Sequence, residues 1–402
     1  MLSRFVRRPG RVGLFVFVLL IIEFLDELVF GAREAAWPLI QADLSLTYVQ
    51  IGIILTIPDL IASAIEPVMG ILADMGKIRW LVLGGGLFFA LALVIMALSP
   101  SFAVFLVASI LLYPASGAFV SMSQIALMNT DPTRHEQNMA RWTVAGSVAV
   151  LVGPLVLSVL IALGGGWRET FLIIAFLTVI VVVYASRFPF KNGAASDEEE
   201  EEPELSFRDG IKGAIAAVRN PKVLRWLVLL QCSDLLLDTL LAFLALYFVN
   251  VAQIAPERAA LAVTVWTGVG LAGDFLLIPL LERVRGLDYL RISTLIEIAL
   301  YPAFLLVDNF GLKLVILGLL GFFNAGSYSI LQAGLYSTMP GRGGTVLAAD
   351  NIFGLAGSLV PLGLGLVAQY FGLEATMWLL LIGPIGLIIL LPRHAQSVSV
   401  EV

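Results

Sequence analysis

The sequence predicts an all-α membrane protein with twelve transmembrane helices in two pseudo-symmetric six-helix bundles. Three observations carry that expectation. Of 402 residues, 59% are hydrophobic and 13% charged, whereas soluble domains run nearer half apolar and a quarter charged. Apolar runs of about eighteen residues or more, enough to cross a hydrocarbon core, recur from end to end. Finally, a constant shift of 208 positions places Asp26 on Asp234, Glu66 on Asp274, Asp74 on Glu282, Lys77 on Arg285, Gln124 on Gln332, Pro132 on Pro340, Arg134 on Arg342 and Gly146 on Gly354. Polar residues in register within otherwise apolar sequence argue for two related bundles.

Glycine, proline and charge divide the chain into spans of a length suited to a core of about 30 Å. The first, 12–40, follows the basic start MLSRFVRRPGR; no A-x-A-like site closes it, so it reads as an uncleaved span rather than a signal peptide. Spans 47–73 and 79–99 flank the charged turn at Asp74 and Lys77. Spans 102–129 and 138–163 flank the polar segment around Pro132 and Arg134, and 168–187 follows a run of glycines. The longest polar interruption, 188–221, holds the acidic run DEEEEEPE, read as solvated, and an amphipathic stretch near SFRDGIKGAIAAVRNP. It separates an N-terminal bundle, 1–187, from a C-terminal bundle, 222–402. The second set of spans is 222–251, 257–283, 288–307, 311–338, 344–371 and 373–391.

Most lysines and arginines fall on one side of this arrangement, and the other side holds Arg168, Arg258 and Lys313. By the positive-inside rule both termini and the linker are cytoplasmic, in a cell membrane. The single Cys232 allows no intramolecular disulfide. Two histidines near span ends, His135 and His394, exclude a histidine-based metal cluster, and no cofactor is expected.

The first span carries Glu23, Asp26, Glu27, Arg33 and Glu34. At about 100° per residue they fall within roughly 120° of arc, so they share a face. A charge at mid-bilayer costs about 2.5–3.5 kcal/mol even on a lenient scale, so this face must look into protein or a water-filled cavity. Asp59, Glu66 and Asp74 repeat the pattern on the second span, Asp234 and Asp238 on the seventh, and Asp274 on the eighth. Arg33 reads as the only base deep in a span, so the interior is strongly acidic. Repelling, desolvated carboxylates are the chemistry of a proton relay or a cation site. Blander readings stay open. Asp74 and Glu282 suit helix-end partners, Glu34 suits snorkelling to an interface, Asp43 suits water, and Arg33 suits an ion pair with an acid of a neighbouring helix.

The stretch GILADMGKIR resembles the loop between helices two and three of the major facilitator superfamily, through Gly70, Leu72, Ala73, Asp74, Gly76, Lys77 and Arg79. Met75 replaces the usual base and the turn is one residue shorter, which alters the gating ion pairs that the resemblance implies for Gly70, Asp74, Gly76 and Lys77. In the fifth span Gly146 and Gly153-Pro154 of GPLVL resemble that family's antiporter motif without its closing glycines. They equally suit a packed, kinked helix. GWRETF, residues 166–171, resembles a segment that follows the fifth helix, with Trp167 as an interface anchor. YPASGAFVSMSQ in the fourth span offers Gln124, matched by Gln332, as cavity hydrogen bonders or helix contacts.

The resemblance covers essentially the whole chain. It implies alternating access between two bundles related by a pseudo-two-fold axis, with helices 1, 4, 7 and 10 lining a central site and Asp26 facing Asp234 across it. Trp37 and Trp266 then suit either an aromatic face for an organic cation or plain packing. The reading is a secondary transporter, specifically a proton-coupled antiporter that exports a small organic cationic or amphipathic compound. The alternative is a symporter or facilitator for a small solute with an anionic group anchored by Arg33. No H-E-x-x-H, G-x-S-x-G or P-loop pattern stands in a suitable context, so an enzyme is not expected. The expected partners are a small molecule, protons and the lipid bilayer, with no nucleic acid, and the chain is expected to be a monomer.

Overall fold

The computed structural model describes residues 9–72, 76–128, 130, 135–190, 213, 215–338 and 343–392. The chain divides into two compact units, Met1–Glu200 with Ile254–Leu261 and Glu201–Gln253 with Ala262–Val402. Among the described residues eleven helices are long and apolar enough to cross a membrane. The first helix, α1 (Pro9–Leu44), is not among them because of its charges, although its 36 residues reach about 54 Å at 1.5 Å per residue.

In the first unit α2 (Tyr48–Leu72) opens with a capping box. Thr47 Oγ1 accepts from Gln50 N (3.2 Å), and Gln50 Oε1 accepts from Thr47 N (2.9 Å). There follow α3 (Ile78–Ala97), α4 (Phe102–Ser116), a π-helical turn (Gly117–Ser121), α5 (Met122–Met128), α6 (His135–Ala162) and α7 (Trp167–Ala185). The fourth span, expected over 102–129, runs through these elements, and its backbone widens into the π turn just after Pro114.

Glycines set how closely α1 meets α6. A Cβ on Gly31 would lie 2.5 Å from Val150 O, and one on Gly153 would lie 2.5 Å from Ala32 N and 2.7 Å from Leu28 O. Backbone therefore rests on backbone at both points. Pro154 lies inside α6 without interrupting it. The buried stripe of α7, Phe171, Ile174, Ala175, Thr178 and Val182, has helical spacing. Its opposite face exposes Ile173, Phe176, Ile180 and Val183, equally apolar, as lipid contact requires.

The second unit holds α8 (Pro221–Asp234), α9 (Asp238–Asn250), α10 (Pro256–Leu281), α11 (Gly286–Leu306), α12 (Phe310–Asn324), α13 (Ser327–Tyr336), α14 (Gly343–Gly357), α15 (Val360–Phe371), α16 (Leu373–Leu379) and α17 (Ile382–Leu390). Asn220 and Asn309 cap α8 and α12 by accepting from Lys222 N and Leu312 N, each at 3.0 Å. Val223, Leu227, Leu230, Leu290, Leu331, Leu335 and Leu387 form a core where α8, α11, α13 and α17 meet.

The seventh span is interrupted at residues 235–237, and the tenth at Ala325–Gly326. Groups from elsewhere in this unit satisfy the freed backbone atoms. Asn324 Nδ2 donates to Leu236 O (3.2 Å), Tyr289 Oη donates to Ala325 O (3.3 Å), and Asp274 Oδ1 accepts from Gly326 N (2.8 Å). Gly326 has φ +69°, a region that costs a residue with a Cβ about 1–3 kcal/mol. Gly326→Ala is expected to lower the thermal unfolding midpoint in detergent. Gly363→Ala, where a Cβ would meet nothing within 4 Å, is expected to leave it unchanged or raise it slightly.

Candidate functional site

The charged face of α1 divides between two neighbouring helices. Glu23 is 7% exposed and points with Glu27 at α6. A Cβ on Gly146 would lie 2.6 Å from Glu23 Oε1 and 3.3 Å from Glu27 Cγ. The first glycine of the motif in the fifth span thus makes room for two carboxyl side chains. Asp26, half-buried, turns to the fourth span, where Ser116 Oγ donates to its Oδ1 (2.8 Å).

Two turns along α1, Arg33 is buried. Its Nη1 donates to Tyr113 Oη (2.9 Å), and its Nη2 and Nε donate to Glu34 Oε1 (2.9 and 3.2 Å). Trp37 Nε1 donates to Glu34 Oε2 (3.0 Å). The expected ion pair therefore exists, but its acid is the adjacent residue and not one from a neighbouring helix. Side chains at i and i+1 do not normally face each other on a helix. Here burial of both groups drives them together. Glu34 does not snorkel, since its two oxygens are occupied at the core by Arg33 and Trp37.

On α2, Glu66 lies against the start of the π turn, 3.5 Å from where a Gly117 Cβ would stand. Asp59 is near enough to act electrostatically on both Glu66 and Tyr113. The repeat has a structural counterpart. Glu66 and Asp274, equivalent in sequence, each adjoin the place where the fourth helix of its own bundle leaves α-helical form, Gly117 and Gly326. In the second unit Asp234 accepts from Thr239 Oγ1 (3.0 Å) across the interruption of the seventh span, and Asp238 is exposed at the start of α9.

Both glutamines reach a helix of their own bundle. Gln124 Nε2 lies 3.5 Å from Met139 Sδ, and Gln332 Nε2 donates to Asp350 Oδ2 (3.3 Å). Asp350 was missed in the sequence reading, although an acid between apolar runs is a visible signal. Of the gating motif, Gly70 is in α2, Gly76 turns the chain with φ +79°, Lys77 is exposed, and Asp74 lies outside the described residues. Arg79 Nη2 donates to Ser186 O (2.9 Å) and fastens this turn to the end of α7.

Another expectation is corrected by burial. Trp167 is buried, not an interface anchor; its ring meets Phe105 and Phe171, and Arg168 stacks on it at 4.3 Å. Arg168 also donates to Asp43 Oδ2 (2.8 Å) and Ser99 O (2.8 Å), so Asp43, exposed as expected, has an ion-pair partner as well. Trp37 and Trp266 are buried too, in keeping with the plain-packing reading of each. A second base is buried in protein, although it lies in the first turn of its helix. Lys313 is 3% exposed, with Nζ donating to Tyr247 Oη (2.7 Å) and Phe304 O (2.8 Å). Among the described residues no group of three or more metal-ligating side chains occurs.

Membrane-length helices that turn acids toward protein partners, with interrupted spans in both units, define a polytopic membrane transporter. The chain belongs to the Major Facilitator Superfamily, whose family model matches residues 19–361. It is similar to the fosmidomycin resistance protein of Escherichia coli (strain K12), 25% identical over 357 residues, 87% of this chain and 85% of that protein. It is also similar to the uncharacterized MFS-type transporter YfnC of Bacillus subtilis (strain 168), 22% identical over 378 residues, 92% of this chain and 91% of that one. Among solved structures, a bacterial homolog of the human lysosomal transporter Spinster shares the fold with TM-score 0.77 and 15% identity over 96% of both chains. The nucleoside transporter NupG shares it with TM-score 0.72 and 16% identity over 94% of this chain and 97% of that chain.

Proposed function

We propose that this alternating-access transporter exports a small organic compound, cationic or amphipathic, in exchange for protons. The observation that carries the reading is the set of acids in the first unit, Glu23, Asp26, Glu27 and Glu66, in a bundle whose deep base, Arg33, is already engaged by Glu34. An excess of acids so placed favours cations and offers groups on which a proton and a substrate compete. The resistance named for the Escherichia coli relative supports export. In this reading the chain works as a monomer in the cell membrane with both termini cytoplasmic, as its basic residues suggest.

The alternative, a solute anion anchored by Arg33, requires that solute to displace Glu34 or share the guanidinium with it. The test uses protein in liposomes with an entrapped pH dye and a panel of organic cations, neutral drugs and anions, fosmidomycin among them. Cation-evoked proton flux in the wild type is expected to fall to the empty-liposome level in Asp26→Asn and in Glu23→Gln. Flux evoked only by anions, intact in those variants and lost in the double variant Arg33→Met with Glu34→Gln, would sink the proposal.

A further inference from the structure

Glu297 lies in α11 within the run LIEIALYPAF and is 1% exposed. Its Oε1 is buried and receives no hydrogen bond, and no ion pair among the described residues includes it. The helices packed against α11 include α8 and α9 as well as α12, α13, α16 and α17. Their titratable groups are Lys222, Arg225, Cys232 and Asp234 on α8, Asp238 and Tyr247 on α9, Lys313 on α12, Tyr328 and Tyr336 on α13 and Glu374 on α16; α17 has none. Lys313 is held by Tyr247 and the Phe304 carbonyl. On α11 itself Asp288 and Arg291 pair with each other, and Tyr301 donates to Met377 O. Tyr289, whose hydroxyl donates to Ala325 O, lies in electrostatic reach of Glu297 and of Asp274 on α10. Among the described residues no base compensates the Glu297 carboxyl.

The second unit holds further buried polar groups without partners. Thr294, one turn away on the same helix, is fully buried with Oγ1 unbonded. Ser233, at the end of α8, and Ser327, at the start of α13, are buried with unbonded hydroxyls beside the two helix interruptions. α13, which carries Ser327, packs against both α8 and α11, the helices of Ser233 and of Thr294 with Glu297. A carboxylate without a donor in such a place is very costly, while the neutral acid loses only a hydrogen bond. Each buried polar group without a partner calls for an explanation, and a functional role for an ionisable one in a membrane span is the leading one.

We propose that Glu297 is a reversible proton-binding site of the second unit, protonated in the arrangement seen here and deprotonated when the interruption between α12 and α13 rearranges and brings a hydroxyl donor to it. This rests on the proton-coupled reading above and adds to it a site outside the charged face of α1. The test is infrared difference spectroscopy of the full-length protein in liposomes, titrated with pH, without substrate or gradient. It therefore stays readable if the flux assay fails. The wild type is expected to show the carbonyl band of a neutral carboxylic acid that disappears reversibly as pH rises. That band is expected to be missing in Glu297→Gln and displaced in Glu297→Asp, which keeps the test informative if the glutamine variant does not fold. The same titrating bands in wild type and Glu297→Gln would overturn the proposal. So would a wild type with no buried-carboxyl band that responds to pH while the protein stays folded.

Discussion

Gly153→Val is expected to leave almost no monodisperse protein. The first added carbon would sit 2.5 Å from Ala32 N and 2.7 Å from Leu28 O, both backbone atoms of α1. Side chains can rotate away from an intruder, but a helix backbone cannot, so α1 and α6 must separate. Overpacking costs about 1–3 kcal/mol where neighbours can adjust, and occasionally more. Here the separation is shared along the whole contact, because Gly31 and Val150 touch in the same way close by. It would also lift Gly146 from Glu23 and Glu27. Gel-filtration yield and the thermal unfolding midpoint read the effect, with Gly84→Ala as control, where a Cβ would meet nothing within 4 Å. Wild-type yield of Gly153→Val would refute the close contact.

Arg33→Ala is the second large loss. Removing one partner of a buried pair strands the other, a cost of about 3–5 kcal/mol. Glu34 would keep only the Trp37 indole as donor, and Tyr113 would lose its guanidinium partner. The double variant Arg33→Met with Glu34→Gln removes both charges, and the amide oxygen that replaces the carboxylate can still accept from Trp37. It is expected to recover most of the unfolding midpoint. If the double variant is as unstable as Arg33→Ala, the pair is not what Arg33 contributes, and a role for its charge toward a solute returns.

Much of the architecture was legible because a membrane helix satisfies its own backbone hydrogen bonds, so a long apolar run suffices to mark one. The same local logic placed the charges of the first span on a common face turned from lipid, since five such groups cannot face hydrocarbon. The register between Glu66 and Asp274 could be read before either was seen beside an interrupted helix. Burial of individual residues was less legible. Both faces of a helix such as α7 are apolar, one toward lipid and one toward its neighbours, so Trp167 looked like an anchor and lies in the core.

By itself the sequence determined where the helices run, that they form two related sets, and that the acids of the first span avoid lipid. Only the tertiary structure decided which charges neutralise each other, as Arg33 with Glu34. It likewise decided where spans seven and ten break, and that Glu297 and Lys313 are buried. The physical reason is distance along the chain. A broken helix survives in a membrane only where remote groups, here Asp274, Tyr289 and Asn324, satisfy the freed backbone, and no local pattern records their arrival.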